Sequence, residues 1–143
     1  MDFNQLTEFA GNHMLLVMAF FAILAMLIGG EIQSRISGVS AVAPGDAVRM
    51  INHDNAILVD MRDDKDYLEG HIVNALHAPS SPDDHASKLE KYRDKPIIVY
   101  CQRGQRSGPY CSKLKKQGFE SVFNLKGGLL AWQKEALPLS KDK

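Results

Sequence analysis

The stretch that most constrains the fold is Lys95 to Gly108, KPIIVYCQRGQRSG. Its four apolar residues Ile97 to Tyr100 predict a strand buried on both faces, as in the middle of a parallel sheet. Cys101 follows the strand directly, and Ser107 begins a segment predicted to be helical. A strand that leads through a glycine-containing loop into a helix turns backbone N–H groups inward, with the positive end of the helix behind them. The sequence therefore predicts an α/β fold with an anion-binding loop after a buried strand.

The cysteine that opens this loop is the candidate nucleophile. Inward N–H groups and the permanent charges of Arg103 and Arg106 favour its thiolate, which is the reactive form. The alternative is an inert, buried thiol. Cys111 shares a helix face with Leu114 and is predicted to be a core residue, with a resolving thiol as its alternative role.

Residues 39–143 alternate between strand and helix patterns, which predicts a central five-stranded, mostly parallel sheet with helices on both faces. The predicted strands are residues 39–42, 56–60, 75–78, 97–100 and 122–125, and the predicted helices are residues 44–52, 63–70, 87–92, 107–117 and 129–135. Asp60 and Arg62 flank the end of the second strand, where we expect an ion pair that supports the loop.

The apolar run Phe9 to Gly30 contains no Asp, Glu, Lys or Arg. As a helix it would be about 33 Å long at ~1.5 Å per residue, enough for a hydrocarbon core of roughly 30 Å. It predicts one N-terminal transmembrane helix that binds membrane lipid through residues 9–30. A buried core helix and a cleaved signal peptide are the alternatives, and the second is disfavoured because no basic residue precedes the run.

The predicted organisation is therefore an anchor at 1–30, a linker at 31–38 and a catalytic domain at 39–143. Arg35 and Arg49 follow the apolar run, so the positive-inside rule places the domain on the cytoplasmic side of the membrane.

The net charge and the cysteine and histidine content limit which partners and cofactors the sequence predicts. The 17 basic and 17 acidic residues cancel, which argues against a nucleic-acid partner. Two cysteines are too few for a disulfide framework, and His53, His77 and His85 are scattered without metal-ligand spacing. No metal or cofactor is predicted.

Three ordered blocks of the sequence together resemble the rhodanese-type sulfurtransferase domain. They are VDMRDDKDYLEGHIVNALHAP at 59–79, CQRGQRS at 101–107 and GFESVFNLKGGLLAWQKEALPL at 118–139. They match that family's Asp-x-Arg and Gly-His-Ile block, its Cys-x-x-Gly-x-Arg-Ser loop and its Leu-x-Gly-Gly…Ala-Trp ending. The whole chain is similar to small membrane-anchored single-domain rhodaneses of bacteria.

This resemblance implies a rhodanese-like fold and a sulfurtransferase. Cys101 would take a sulfane sulfur from a small anionic donor such as thiosulfate, hold it as a persulfide, and pass it to a thiol, protein or cyanide-like acceptor. The implied substrate-binding residues are those of the loop: Gln102, Arg103, Gly104, Gln105 and Arg106. The family often has arginine directly after the cysteine, whereas this chain has Gln102. The identity of the sulfur donor therefore stays open.

Two other functions stay open at this point. Phosphatase relatives of the fold have five residues between cysteine and arginine, wide enough for phosphate, and here there are four. A rhodanese-like interaction module with little turnover, docked on another membrane protein, is the main alternative to an enzyme.

Overall fold

The computed structural model describes residues 9, 11–36, 38–79 and 82–141. The chain divides into two units, residues 1–36 and 37–143. Helix α1, Met14–Ile36, belongs to the first unit and continues through residues 31–36, which the sequence analysis assigned to a linker.

Helix α1 is apolar on all sides over most of its length. Its large apolar side chains from Met14 to Ile28 are exposed, among them Leu15 and Met26. Within the described residues, however, no helix has the combination of length and hydropathy that crossing a membrane requires. The structure thus does not support the transmembrane helix predicted for residues 9–30.

The second unit is built on a five-stranded parallel sheet, which confirms the predicted architecture. Its strands are β1 Ser40–Val42, β2 Ile57–Asp60, β4 Leu76–His77, β5 Ile97–Tyr100 and β6 Val122–Leu125. They occur in the spatial order β1, β6, β5, β2, β4, and every neighbouring pair is parallel. A separate antiparallel ribbon pairs β3, His71–Ile72, with β7, Leu139–Ser140.

In the part of the second unit that the structure describes, five helices accompany the sheet: α2 Pro44–Asp54, α3 Asp64–Glu69, α4 Pro82–Glu90, α5 Ser107–Lys116 and α6 Gly128–Lys134. Side chains of β5 alternate between two apolar layers, because successive residues of a strand point to opposite faces. Val99 joins Leu89 of α4 and Leu114 of α5 in one layer. Ile98 joins Ala47 of α2 and Trp132 of α6 in the other layer. The central strand is therefore buried on both faces, as its uninterrupted apolar run predicts.

Two parts of the fold differ from the sequence prediction. Helix α4 begins at Pro82, five residues before the predicted start, and it ends at Glu90. Proline is favoured at the first position of a helix, and Asp83 and Asp84 complement the helix dipole there. The β3–β7 ribbon was not predicted, since two-residue strands carry no measurable periodicity.

Candidate active site

Cys101 lies directly after β5, at the carboxyl edge of the parallel sheet. Strands β2 and β6 flank β5, so their carboxyl ends lie on either side of the cysteine loop. Ligands of open parallel sheets bind at this edge, because the loops that follow the strands converge there. The topology thus places the loop between Asp60, at the end of β2, and Leu125, at the end of β6.

The start of α6 holds the loop from behind. The Leu129 N–H donates to the Cys101 carbonyl oxygen at 2.9 Å, and the Leu130 N–H donates to the Gln102 carbonyl oxygen at 3.1 Å. With these carbonyl groups turned toward α6, the next N–H group of the loop faces the sulfur: the Gly104 N–H donates to Cys101 Sγ at 3.1 Å. One helix N-terminus therefore orients a loop whose own amide contacts the sulfur.

Two glycines make this close approach possible. Gly104 has φ +84° and Gly128 has φ +60°, a region that other residues enter only at a cost. A Cβ on Gly128 would lie 2.7 Å from the Gly104 nitrogen and 2.8 Å from the Arg103 nitrogen. The backbone of α6 and the backbone of the loop are thus in direct contact, with no room for a methyl group.

The surroundings of Cys101 favour its ionised form. Burial raises the pKa of the thiol, but the nearby Ser107 hydroxyl and the nearby N–H groups of Ser107, Arg103 and Arg106 together lower it by more. The net pKa lies below the ordinary value for cysteine. Hydrogen bonds to the charged form of a group stabilise that form, which is the origin of the shift.

Ser107 and Asn124 connect the loop to β6. The Ser107 hydroxyl is 3.5 Å from Cys101 Sγ and donates to Asn124 Oδ1 at 2.6 Å. The other end of the same amide, Asn124 Nδ2, donates to the Gly104 carbonyl oxygen at 2.9 Å. Asn124 therefore forms hydrogen bonds with the loop backbone, at Gly104, and with Ser107, the hydroxyl group of which lies next to the sulfur.

A buried ion pair supports the other side of the loop, as the sequence predicts. The Arg62 guanidinium donates to Asp60 Oδ2 at 2.7 Å, and both side chains are almost fully buried. Arg62 also donates to the Gly70 carbonyl oxygen at 2.7 Å and to Gln102 Oε1 at 3.3 Å. The pair thus links β2 to the residue that follows the cysteine.

The predicted site residues occupy distinct places around the sulfur. Only 3% of Cys101 is exposed, so a substrate must reach its sulfur with a small group. Gln102, Arg103, Gln105 and Arg106 are exposed, and Gly104 is half-buried. The loop that follows Cys101 therefore carries two exposed positive charges.

Cys111 is part of the core. Its Sγ donates to the Phe123 carbonyl oxygen at 3.4 Å, and burial raises the pKa of the thiol to about 12. A thiol with this pKa is neutral at physiological pH and is a poor nucleophile.

A cleft of about 460 Å³ opens beside the loop. Gln102 lines it together with Leu129 and Gln133 of α6, Leu139 of β7, and Lys141. The β3–β7 ribbon therefore contributes one wall of the space next to the cysteine loop.

The sequence alone predicts no role at the site for Ser107, Asn124 or Gly128. One signal for Asn124 was available, since asparagine is disfavoured in strands and this one interrupts the apolar run VFNL. Among the described residues, no group of three or more His, Cys, Asp or Glu side chains is arranged to hold a metal ion.

The fold and the loop thus define an α/β domain that holds a cysteine sulfur against backbone N–H groups at the edge of a parallel sheet. A model of the rhodanese-like domain matches residues 43–135. The chain belongs to the rhodanese-like domain family.

Individual relatives agree with this assignment. The chain is 34% identical over 142 residues to the uncharacterized protein YibN of Escherichia coli K12, covering 98% of this chain and 99% of that protein. It is 35% identical over 92 residues to a sulfurtransferase of Allochromatium vinosum, covering 64% and 84% of the two chains. The fold is similar to that of a rhodanese-related protein from Thermoplasma volcanium, with a TM-score of 0.60, 23% identity, and coverage of 72% and 99%.

Proposed function

We propose that the protein is a sulfurtransferase that moves a sulfane sulfur from a small anionic donor, such as thiosulfate, to a thiol or cyanide-like acceptor through a persulfide on Cys101. The observation that carries the proposal is the hydrogen bond from the Gly104 N–H to Cys101 Sγ, within a loop that α6 orients from behind. The Allochromatium vinosum relative described as a sulfurtransferase supports the same reaction class.

In the first half-reaction, the Cys101 thiolate attacks the outer sulfur of thiosulfate. A new S–S bond forms on Cys101 while the S–S bond of thiosulfate breaks, and sulfite leaves with the electron pair. The negative charge then rests on the terminal sulfur of the persulfide. Loop N–H groups that face this position stabilise the developing charge, and Arg103 and Arg106 attract the dianionic donor.

In the second half-reaction, an acceptor thiolate attacks the terminal sulfur of the persulfide. The S–S bond to Cys101 breaks as the bond to the acceptor forms, so the Cys101 thiolate is regenerated and no external oxidant or reductant is needed. Two covalent half-reactions on one enzyme group predict ping-pong kinetics. Thiosulfate presents its terminal sulfur to the Cys101 thiolate, so only that end of the donor has to reach a nucleophile of which 3% is exposed.

Loop length favours sulfur transfer over phosphate-ester hydrolysis. Four residues separate Cys101 from Arg106, one fewer than in the phosphatase loop, and the space they enclose suits a single sulfur atom. Turnover of a phosphate ester that is lost in Cys101→Ser would contradict this preference.

Mass spectrometry of the full chain after treatment with thiosulfate tests the proposal. We expect the mass of one added sulfur atom on the peptide that contains Cys101, and its removal by a thiol acceptor. Cys111→Ser is the matched control and should load normally, because Cys111 is a neutral core thiol. No adduct on wild type would refute the reaction. An adduct without catalytic turnover would favour the interaction module.

We also propose that α1 associates with lipid of the bacterial inner membrane, with the domain on the cytoplasmic side. The support is the exposure of apolar side chains along α1, including Leu15 at 80% and Met26 at 80%, which leaves a large apolar area in contact with water. A reducing cytoplasm also keeps a reactive thiol available.

Fractionation of cells tests the association. The full chain should sediment with membranes and resist carbonate extraction, whereas a variant with Leu16→Lys and Leu24→Lys should be released. Protease added to spheroplasts should leave the domain intact until the cells are lysed. Recovery of the wild-type chain in the soluble fraction would contradict the association, and cleavage in intact spheroplasts would contradict the orientation.

A further inference from the structure

The orientation of the Asn124 side chain can be deduced from its partners. Its Nδ2 end lies 2.9 Å from the Gly104 carbonyl oxygen, which can only accept a hydrogen bond. The nitrogen end must therefore face Gly104, and the oxygen end must face Ser107. The assignment follows from the hydrogen-bonding partners on both sides of the amide.

This orientation determines where the Ser107 hydroxyl hydrogen lies. Two oxygens 2.6 Å apart need a hydrogen between them, and Asn124 Oδ1 has none to give. Ser107 must therefore donate its single hydroxyl hydrogen to Asn124. The same hydroxyl oxygen lies 3.5 Å from Cys101 Sγ, where it can accept from the S–H group of a neutral thiol.

The arrangement changes when the sulfur becomes an anion. A thiolate has no hydrogen to donate, and it stabilises its charge by accepting one. Ser107 can then turn its hydroxyl hydrogen toward the sulfur, which leaves Asn124 Oδ1 without that donor, or keep it on Asn124 and present a lone pair to the anion. One hydrogen cannot serve both acceptors fully.

We propose that Asn124 is a positioning residue that competes with the Cys101 sulfur for the single hydroxyl hydrogen of Ser107. The proposal deepens the sulfurtransferase function and rests on it for its role in the reaction cycle. Asn124 never touches the reacting sulfur, and it acts through Ser107.

The competition has a consequence in each half-reaction. When Cys101 becomes a persulfide, the charge moves to the terminal sulfur and Sγ becomes a neutral, weakly accepting atom. Ser107 then returns its hydrogen to Asn124. When the sulfur is passed on, the charge returns to Sγ and the hydroxyl turns back. The hydrogen never leaves Ser107, so this rotation transfers no proton. Asn124 thereby disfavours the thiolate relative to the persulfide.

The surrounding elements carry other charged or titratable groups. They include Arg103 and Arg106 on the loop, Tyr100 on β5, Tyr110, Cys111, Lys113, Lys115 and Lys116 on α5, Asp60 at the end of β2, Arg62 two residues after it, and Lys126 between β6 and α6. Burial raises the pKa of both Tyr110 and Cys111, so both are neutral near pH 7. Asp60 and Arg62 compensate each other in their ion pair. A change in the titration of Cys101 caused by replacing Asn124 therefore reports on Ser107 or on the loop backbone.

A double-mutant cycle on the full chain distinguishes an effect of Asn124 that acts through Ser107 from an effect that acts through the loop backbone. The four proteins are wild type, Asn124→Leu, Ser107→Ala and the double variant, all carrying Cys111→Ser so that one thiol titrates. The measured quantity is the pKa of Cys101, from the pH dependence of its alkylation rate. Asn124→Val, which suits a strand, replaces Asn124→Leu if the latter does not fold.

With Ser107 present, loss of Asn124 should lower the pKa of Cys101 by about one unit, equivalent to a tenfold larger thiolate-to-thiol ratio. With Ser107→Ala, the same substitution should leave the pKa unchanged. An equal shift in both backgrounds would show that Asn124 acts through the Gly104 carbonyl and would overturn the proposal, as would no shift in either.

Thiosulfate loading of the same four proteins keeps the two proposals distinguishable. Suppose that the wild-type protein gains no sulfur while the pKa of Cys101 changes across the double-mutant cycle as expected. This result would refute the sulfurtransferase function but not the competition for the Ser107 hydrogen. If the protein takes up sulfur normally but the double-mutant cycle shows no coupling between Asn124 and Ser107, only the competition is refuted.

Discussion

Replacing Gly128 by alanine tests whether α6 sets the geometry of the cysteine loop. Gly128 has φ +60°, which costs an alanine about 1–2 kcal/mol. Its new methyl group would also lie 2.7 Å from the Gly104 nitrogen, and relieving such overpacking costs a further ~1–3 kcal/mol. We expect the free energy of unfolding to fall by about 2–5 kcal/mol, as measured by urea denaturation.

The same substitution should reduce the reactivity of Cys101. The displaced nitrogen is the one whose hydrogen contacts Sγ, and a hydrogen bond to a charged group contributes about 1.5–3 kcal/mol. Its loss should raise the pKa of the thiol by about 1–2 units. Alkylation of Cys101 near pH 7 should therefore slow by about 10- to 100-fold.

Gly127→Ala is the matched control. Gly127 also has a positive φ, +75°, but a methyl group there would meet the Ala131 side chain at 2.7 Å rather than the loop. Gly127→Ala should destabilise the domain and leave the alkylation rate of the folded protein close to that of wild type. Equal alkylation rates for the two variants, under conditions where both are folded, would refute the argument that α6 positions the loop.

Three further predictions follow from the buried groups. Arg62→Leu should lower the free energy of unfolding by about 3–5 kcal/mol in urea titrations because it leaves the buried Asp60 carboxylate unpaired, and Asp60→Leu in the same chain should restore part of the loss. Burial raises the pKa of Cys111 to about 12, so the folded state retains a proton that the unfolded state releases above its ordinary pKa. Stability should therefore fall as pH rises from about 9 toward 12, and Cys111→Ala should show a smaller slope than wild type. Alkylation of Cys101 should reach half its maximal rate below the pKa of an ordinary cysteine, and a midpoint at or above that value would contradict the hydrogen-bonded thiolate.

The parts of the domain that could be predicted from sequence are those determined by strong local patterns. Four consecutive apolar residues at 97–100 specify a buried strand, and Cys101 and Gly104 place a loop after it. The ion pair between Asp60 and Arg62 could also be predicted, because its partners are two residues apart at a strand end. Local spacing was sufficient for these features.

Features that depend on contacts between distant segments could not be predicted in this way. Asn124 reaches the loop because β6 pairs with β5 in the register that places it beside Val99, and no pattern within β6 reveals that register. The contact of Gly128 with Gly104 depends on how α6 approaches the loop. Leu139 and Ser140 form a strand only because His71 and Ile72 are available to pair with them.

The strand order also has a consequence for biosynthesis. Among the described residues, strand β1 pairs only with β6, so Ser40 finds its partner Phe123 across most of the domain's sequence. A ribosome must therefore synthesise β2, β5 and the cysteine loop before the first strand can join the sheet. Until then β1 has no partner strand in the nascent chain, and pairings of such long sequence separation form slowly. Translation speed and chaperone supply should accordingly influence the yield of folded protein more than they would for a fold closed by neighbouring hairpins.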